Sequence, residues 1–152
     1  MEKLCFLFGH SIIPAALQEQ IQEAAWRHYR DHGIRQFYVG YHGQFDQTAI
    51  AALRNLKGRC PDITLMLVTP YHPSAQRVFL PEGFDGFYYP EGMEEVPLRF
   101  AIVKANRLMI RAADSVICYV QHAGNSRELL EQARKRQQKQ DIPVENLAAS
   151  IH

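Results

Sequence analysis

The sequence has few cysteines, no long apolar run and almost no net charge. Its three cysteines, Cys5, Cys60 and Cys118, form no CxxC pair and no spacing typical of a metal site. Their odd number favours free core thiols in a reducing compartment, so we expect a cytoplasmic protein. The first apolar run, residues 4–8, is far shorter than a signal-peptide core or a membrane span, so no membrane partner is expected.

The charge balance does not favour a protein that binds polyanions by electrostatic attraction. The 152 residues include 17 Lys and Arg against 16 Asp and Glu, which gives a formal net charge of +1. Because such a chain has no overall basic excess, nucleic acid is not expected as a partner. Apolar residues make up 47% of the sequence, enough for a hydrophobic core, and the length predicts a single domain over residues 1–152.

Short apolar segments alternate with amphipathic segments along the chain. Strands are predicted at residues 4–8, 36–39, 63–68, 84–89 and 115–120, with a short edge strand at 143–147. Helices are predicted over 14–32, from about 49 to a stop at Gly58, over 97–112 with a buried face from Leu98 to Ala112, and over 125–140. This alternation predicts an α/β fold with an open, mostly parallel sheet and helices on both faces.

Ligands of such sheets bind beyond the carboxyl ends of the strands, so the turns that follow the strands are the candidate site. These turns are Gly9–His10 and residues 40–46, 69–73 and 121–126, and they are rich in Gly, His, Asn, Ser and Thr. Tight turns need such residues, which is a sufficient structural explanation for any one of them. The four turns together favour a binding site.

The turn at residues 40–46 can be interpreted in two ways, as a structural turn or as part of a binding site. Gly40 and Gly43 allow a phosphate to approach the backbone closely, although the pattern is not GxGxxG. Asp46 either caps the following helix or accepts a hydrogen bond from a ribose hydroxyl. Both roles are compatible if each uses a different carboxylate oxygen.

The turn at residues 121–126 can also be interpreted in two ways, as a helix cap or as an anion site. Asn125 or Ser126 is the predicted N-cap of the last long helix, which explains the turn without a ligand. The N–H groups that follow Gly124 would nevertheless attract an anion. Arg127 and Glu128, in the first turn of that helix, are expected to face solvent.

Four histidines and several tyrosines also fall in or near these turns. His10, His42, His72 and His122 could converge in space, but their spacing is not that of a metal site, and no metal is expected. One or two of them are better suited to recognise a phosphate or a base. Tyr89 offers an aromatic face for a base, with core packing as the alternative.

These motifs together resemble the SLOG superfamily, which joins the DNA-processing protein A family, the Lonely Guy phosphoribohydrolases and the YpsA-like proteins. The resemblance is nearest to the short YpsA-like branch and extends from Leu4 to about Arg136. The residues that carry it are Gly9-His10, the G-x-x-G-x-[FV]-[DE] pattern at 40–46, Pro61-Asp62-Ile63 with Val68-Thr69-Pro70, Asn106-Arg107-Leu108-Met109, and Asp114-Ser115-Val116-Ile117. It implies a Rossmann-like sheet, a nucleotide-type ligand and a phosphate at the last glycine-rich turn.

The resemblance also favours binding over catalysis. In Lonely Guy enzymes the last turn reads P-G-G-x-G-T-x-x-E, and residues 120–128 of this chain keep only Gly124 and Glu128. The Arg-Lys pair of those enzymes corresponds to Ala105 and Asn106. Phosphate affinity is expected to be weaker where side chains replace glycine.

We therefore expect a module that binds or senses a nucleotide or a nucleotide-derived ligand. The alternatives are an N-glycosidase that uses Glu128 as catalytic residue and a scaffold for protein contact. The predicted ligand-binding residues are Gly9, His10, Gly40, Gly43, Asp46, Thr69, Pro70, Tyr89, Asn106, Arg107, Gly124, Asn125 and Ser126. No cofactor is expected, and a homodimer is plausible because relatives form dimers.

Overall fold

The computed structural model describes residues 2–72, 74–75 and 77–150. The strands are β1 Lys3–Gly9, β2 Ile34–Val39, β3 Thr64–Val68, β4 Gly86–Tyr88, β5 Ser115–Tyr119 and β6 Val144–Asn146. The helices are α1 Gln18–His32, α2 Gln44–Arg59, α3 Ala101–Ala112 and α4 Asn125–Gln140, with 3₁₀ turns at Leu98–Phe100 and Leu147–Ser150. Pro73, which the sequence places in the third strand-end turn, lies outside the described residues. None of the described helices is long and apolar enough to cross a membrane.

The strands form one parallel sheet, as the alternating pattern predicts. Its order is β4-β3-β2-β1-β5-β6, and every pair of neighbours is parallel. The chain moves outward from β1 to β4 and then returns past β1 to begin β5. The direction of winding therefore reverses between β1 and β5, and at that point the turns after these two strands diverge and leave a crevice.

Both faces of the central strand are covered by helices. Cys5 and Leu7 pack with α1 and α2, whereas Phe6 and Phe8 pack with α3 and α4. Successive side chains of a strand point to opposite faces, so a strand buried on both faces must be apolar throughout. The continuous apolar run of β1 is explained in this way, and the predicted fold class is confirmed.

Two predicted helix ends are wrong. The first long helix begins at Gln18 rather than at residue 14, because residues 15–16 form a turn and Leu17 is the N-cap. The second helix runs through Gly58 to Arg59. Gly58 does not have the positive φ that ends a helix, whereas Gly33, at φ 69°, ends α1 as predicted.

The predicted buried face of the third helix is correct only in its middle. Ala105 and Met109 are buried, but Leu98 is 74% exposed and Ala112 is also exposed. Residues Leu98–Phe100 form a 3₁₀ turn instead of the first turn of α3. Because a 3₁₀ turn advances 120° per residue rather than 100°, Leu98 is rotated away from the buried face.

The turn before α2 packs directly on the turn after β1. The Gln44 N–H donates to the Ser11 carbonyl at 2.9 Å, and the Phe45 N–H donates to the His10 carbonyl at 3.3 Å. A Cβ on Gly43 would lie 2.7 Å from the Cα of Ser11. Glycine is therefore required by the close approach of two backbones.

A buried polar network joins α1 to the amino end of β5 and to β6. His28 Nδ1 lies 2.9 Å from Ser115 Oγ, and His28 Nε2 lies 3.1 Å from a Glu145 carboxylate oxygen. Arg27 donates two hydrogen bonds, of 3.0 and 2.8 Å, to the same carboxylate. Hydrogen bonds from His28 and then Arg27 hold the pKa of Glu145 at about 2, below the ordinary 4.5. Ser115 is fully buried, so this serine–histidine–glutamate set is structural.

The Glu145 carboxylate should stabilise the fold in a pH-dependent way. Its folded pKa is depressed, so its contribution is complete above pH 4.5 and is lost as the pH falls from 4.5 towards 2. We expect Glu145→Gln to lower the free energy of unfolding by about 1–3 kcal/mol at pH 7 and by much less at pH 3. Urea unfolding at both pH values measures this. Glu131→Gln, at an exposed position of α4, is the control; an equal loss at both pH values would contradict the assignment.

Substitution by alanine should have opposite effects at Gly43, the N-cap of α2, and at Gly58, near its end. Gly43→Ala forces two backbones apart and should lower the free energy of unfolding by about 1–3 kcal/mol. Gly58→Ala adds a methyl group that would have nothing within 4 Å apart from the adjacent backbone of its own helix, and it should raise that free energy by about 0.5–1 kcal/mol because alanine favours the helix. Thermal and urea unfolding of the two variants measure the difference; a Gly43→Ala protein as stable as wild type refutes the close-approach argument.

Candidate functional site

A cleft of about 480 Å³ opens at the carboxyl ends of the strands. The turns after β1, β2 and β5 form its floor, and α3 and α4 contribute one wall. It lies where the winding reverses between β1 and β5, the position at which parallel sheets bind ligands. Its volume is that of a small-molecule site.

Most of the predicted site residues line this cleft. They are Gly9, His10, Gly40, Gly43, Asp46, Asn106, Arg107, Gly124, Asn125, Ser126 and Glu128. Residues far apart in sequence are thus brought together as the strand-end rule predicts. Their contact with a ligand stays a prediction.

Three predicted residues lie outside the cleft lining. Thr69 is buried, and its hydroxyl donates to the Tyr71 carbonyl at 2.9 Å. Pro70 follows it and is also buried. Tyr89 packs against the edge of His72, with ring centroids 5.6 Å apart. These residues organise the ends of β3 and β4, away from the winding reversal.

His10 links the turn after β1 to the turn after β5. Its Nε2 accepts hydrogen bonds from the backbone N–H groups of Gln121, at 2.8 Å, and His122, at 3.3 Å. A ring nitrogen that accepts N–H donors carries no proton, so His10 is neutral with its proton on Nδ1. Burial first, and then the nearby His122 and Arg127, lower the pKa of His10, which favours that neutral form.

The imidazole of His122 stacks on His10. The ring centroids are 3.7 Å apart and the planes differ by 5°. His122 is exposed and lines the cleft, and no other aromatic ring of the described residues stacks on its second face. His42 lines the same cleft, so three of the four strand-end histidines converge, while His72 does not. In the part of the chain that the structure describes, no group of three His, Cys, Asp or Glu side chains could hold a metal ion.

The helices α2 and α4 present different N-termini to the cleft. The first two N–H groups of α2 are already bound to the Ser11 and His10 carbonyls. The N–H groups of Asn125, Ser126 and Arg127 at the start of α4 have no acceptor among the described residues. At α2 the Asp46 N–H also has no acceptor among the described residues, so α4 offers an anion three free donors and α2 offers one.

The predicted N-cap of α4 is wrong. Neither Asn125 nor Ser126 caps the helix, because Asn125 is already its first residue and Gly124 is the N-cap, with no side-chain cap bond. Gly124 has φ 140° and ψ −166°, a backbone conformation open essentially to glycine alone. The helix N–H groups are left uncovered as a result.

Asp46 uses one carboxylate oxygen and leaves the other free. Its Oδ2 accepts a hydrogen bond of 2.9 Å from the His42 N–H, one residue before the N-cap Gly43, so Asp46 closes the turn rather than capping the helix from the N-cap position. Its Oδ1 has no hydrogen-bond partner among the described residues. Burial raises the pKa of Asp46 to about 6 from an ordinary 3.8, although the His42 N–H opposes the shift.

The α3 wall combines apolar and polar residues. Ile102, Val103, Asn106 and Arg107 line the cleft, and these positions recur at the spacing of one helix face. Arg107 is exposed and makes no ion pair or side-chain hydrogen bond with any described residue. Ile102 and Val103 were not among the predicted site residues, because the prediction was limited to the strand ends and the motifs of the family resemblance. They lie four residues before Asn106 and Arg107, and this helical spacing was the signal that could have identified them.

Glu128 lies at the cleft but is not fixed there. It sits in the first turn of α4 and is exposed, as expected. Its backbone N–H bonds to the Gly124 carbonyl, yet within residues 2–72, 74–75 and 77–150 nothing hydrogen-bonds its carboxylate. A catalytic carboxylate is normally oriented by its neighbours, and this one is not.

Two solved structures of DNA processing protein A share the fold. The Streptococcus pneumoniae protein matches with a TM-score of 0.62 and 16% identity, over 94% of this chain and 49% of that one. The Helicobacter pylori protein, described for its unique single-stranded DNA binding mode, matches with a TM-score of 0.60 and 16% identity, over 93% of this chain and 63% of that one. This chain thus spans less than two thirds of either protein. No protein-family model matches the chain, and no curated protein matches it in sequence.

One expectation about partners is wrong. The near-zero net charge led to the expectation that nucleic acid is not a partner, but the Helicobacter pylori protein of the same fold is described as binding single-stranded DNA. Net charge averages over the whole surface, whereas a strand contacts only a local groove, so a balanced total excludes nothing.

The fold agrees with the sequence resemblance. The resemblance implied a Rossmann-like sheet, and the chain has a parallel sheet and the fold of DNA processing protein A. The assignment to the YpsA-like branch stays a prediction. The Rossmann-like sheet that the resemblance implies is therefore confirmed.

Proposed function

We propose that the cleft binds a nucleotide or a nucleotide-derived ligand with its phosphate at the start of α4. The observation that carries this proposal is the difference between the two helix N-termini. The first two N–H groups of α2 are bound internally, while those of Asn125, Ser126 and Arg127 are free beside the cleft. Free helical N–H groups and the positive end of the helix dipole both favour an anion.

The other cleft residues suit the remaining parts of a nucleotide. The exposed guanidinium of Arg107 supplies a cation without a competing carboxylate. The uncovered face of His122 supplies a flat aromatic surface on which a base can stack. Because His10 already occupies the N–H groups of Gln121 and His122, the loop offers a phosphate fewer donors than a fully glycine-rich turn would.

Single-stranded nucleic acid is the second candidate ligand. It is favoured by the likeness to DNA processing protein A and by a basic stripe on α3, formed by Lys104, Arg107 and Arg111 at helical spacing. The helix Ala101–Ala112 contains no acidic residue. A strand with one nucleotide in the cleft could continue along this stripe, where its phosphates would be neutralised.

An N-glycosidase is the third candidate. Glu128 reaches the cleft, where it could stabilise a ribosyl cation or activate water while Asn106 or Arg107 holds phosphate. The exposed, unoriented carboxylate supports this function less than it supports binding.

Variants of two arginines of α3 distinguish a nucleotide ligand from a single-stranded nucleic acid. Arg107 lines the cleft and Arg111, one turn on, does not. For a 5′-ribonucleoside monophosphate we expect Arg107→Ala to weaken binding about tenfold and Arg111→Ala less than about twofold. For a single-stranded oligonucleotide both variants should weaken binding and lower its salt dependence.

Isothermal titration at two salt concentrations measures both ligands on the same proteins. Binding of the monophosphate alone supports the nucleotide module. Oligonucleotide binding that is sensitive to both arginines, with no monophosphate binding, favours the strand. If no nucleotide of any base and no oligonucleotide binds at millimolar concentration, the proposed function fails.

Catalysis is tested by base release from nucleoside monophosphates. If the cleft is an N-glycosidase, Glu128→Gln should reduce the release rate by at least about a hundredfold, since it removes the proposed acid–base group. Glu131→Gln, one turn further along α4 at an exposed position, is the control. Chromatographic detection of the free base measures the rate, and an unchanged rate in Glu128→Gln rules out the mechanism.

A further inference from the structure

We propose that Asp46 recognises the ribose of the bound nucleotide by accepting a hydrogen bond from a ribose hydroxyl on its free Oδ1. This inference rests on the proposed function and names the sugar class of its ligand. The ligand would be a ribonucleotide or a ribose-containing derivative rather than a deoxyribonucleotide.

The carboxylate of Asp46 is held in a fixed orientation. The His42 N–H binds Oδ2 at 2.9 Å. A Cβ on Gly40 would lie 3.0 Å from the same oxygen, so the bare glycine backbone lets the carboxylate settle against the turn. With Oδ2 fixed on one side, the direction of Oδ1 is fixed as well, and such preorganisation favours binding.

The free oxygen is accessible from the cleft. No buried side-chain oxygen or nitrogen of the described residues lacks a hydrogen-bond partner. Because Oδ1 of Asp46 has none, it must reach solvent, and Asp46 lines the cleft. A ligand there meets a hydrogen-bond acceptor that the protein itself leaves unused.

The charges of the cleft decide which part of a ligand meets Asp46. A phosphate is repelled by this carboxylate and finds the first two N–H groups of α2 already bound. It is attracted to the opposite side, where α4 has free N–H groups and Arg107 is unpaired. The group beside Asp46 must therefore be a hydrogen-bond donor without negative charge, and in a nucleotide the sugar hydroxyls, which are such donors, stand next to the phosphate.

The partial burial of Asp46 agrees with this role. Desolvation disfavours its ionised form and raises its pKa to about 6. At neutral pH the group is still mostly ionised, so it remains an acceptor. A hydroxyl donor on Oδ1 would replace the solvation that burial removes.

The experiment compares ribonucleotides with their deoxy analogues. A panel of 5′-ribonucleoside monophosphates is titrated first, and the one that binds is compared with its 2′-deoxy and 3′-deoxy counterparts by isothermal titration. In the wild-type protein at least one deoxy analogue should bind about tenfold or more weakly, since a hydrogen bond to a charged group is lost.

The Asp46→Asn variant tests whether this residue is responsible. It keeps an oxygen for the His42 N–H and the shape of the turn but removes the charged acceptor. Discrimination between ribose and deoxyribose should fall to within about twofold, and the affinity for the deoxy analogue should not decrease, because the variant removes a charge that repels phosphate. Glu19→Gln is the matched control, because Glu19 is an exposed acid in the first turn of α1, outside the cleft.

The possible outcomes are distinct. Equal affinity for ribonucleotide and both deoxy analogues, or discrimination that persists in Asp46→Asn, overturns the assignment while leaving nucleotide binding intact. The assignment is also overturned if Asp46→Asn changes the preference between bases and leaves the preference between ribose and deoxyribose as it was. If no nucleotide binds the wild-type protein, the proposed binding of a nucleotide has itself failed and the assignment fails with it. Thermal unfolding confirms that the variant is folded.

Discussion

The parallel pairing of β1 with β2 on one side and β5 on the other is the constraint on which the cleft depends. It aligns the carboxyl ends of three strands that are separated by long stretches of sequence. It also places the reversal of winding between β1 and β5, so the turns that follow these strands leave a crevice between them. The apolar residues of β1, buried on both faces, hold this arrangement by packing α1 and α2 on one side and α3 and α4 on the other.

The turn after β1 then decides how the two neighbouring turns can be used. Its carbonyl groups, from His10 and Ser11, bind the first N–H groups of α2. Its imidazole, on His10, binds the N–H groups of Gln121 and His122 in the loop after β5. The start of α4 keeps three free N–H groups, whereas α2 keeps only that of Asp46, beside its own carboxylate. Of the two helix N-termini at the cleft, α4 therefore attracts an anion more strongly.

The chemistry of the cleft is polarised as a consequence. Free N–H groups and Arg107 mark an anion-binding end, while the Asp46 carboxylate marks an end for hydrogen-bond donors. A ligand with a phosphate at one end and hydroxyls further along matches this order. The Glu128 carboxylate has no hydrogen-bond partner among the described residues, whereas the Asp46 carboxylate is held by the His42 N–H. This difference is the reason that binding is better supported than catalysis.

Much of this could be predicted from local sequence pattern. The alternation of apolar strands with amphipathic helices determines a parallel sheet, and the glycines, histidines and Asp46 after the strands mark the cleft, because periodicity and turn chemistry depend on neighbouring residues. The sequence could not distinguish a capped helix start from an uncapped one, since the caps of α2 come from carbonyls more than thirty residues away. It could not place Thr69, Pro70 and Tyr89 outside the cleft, because that depends on where the winding reverses. The sequence by itself determined the elements and the kinds of group at their ends; the tertiary structure decided which of those groups meet and which are left free, because hydrogen bonds between distant turns form only once the sheet order has brought them together.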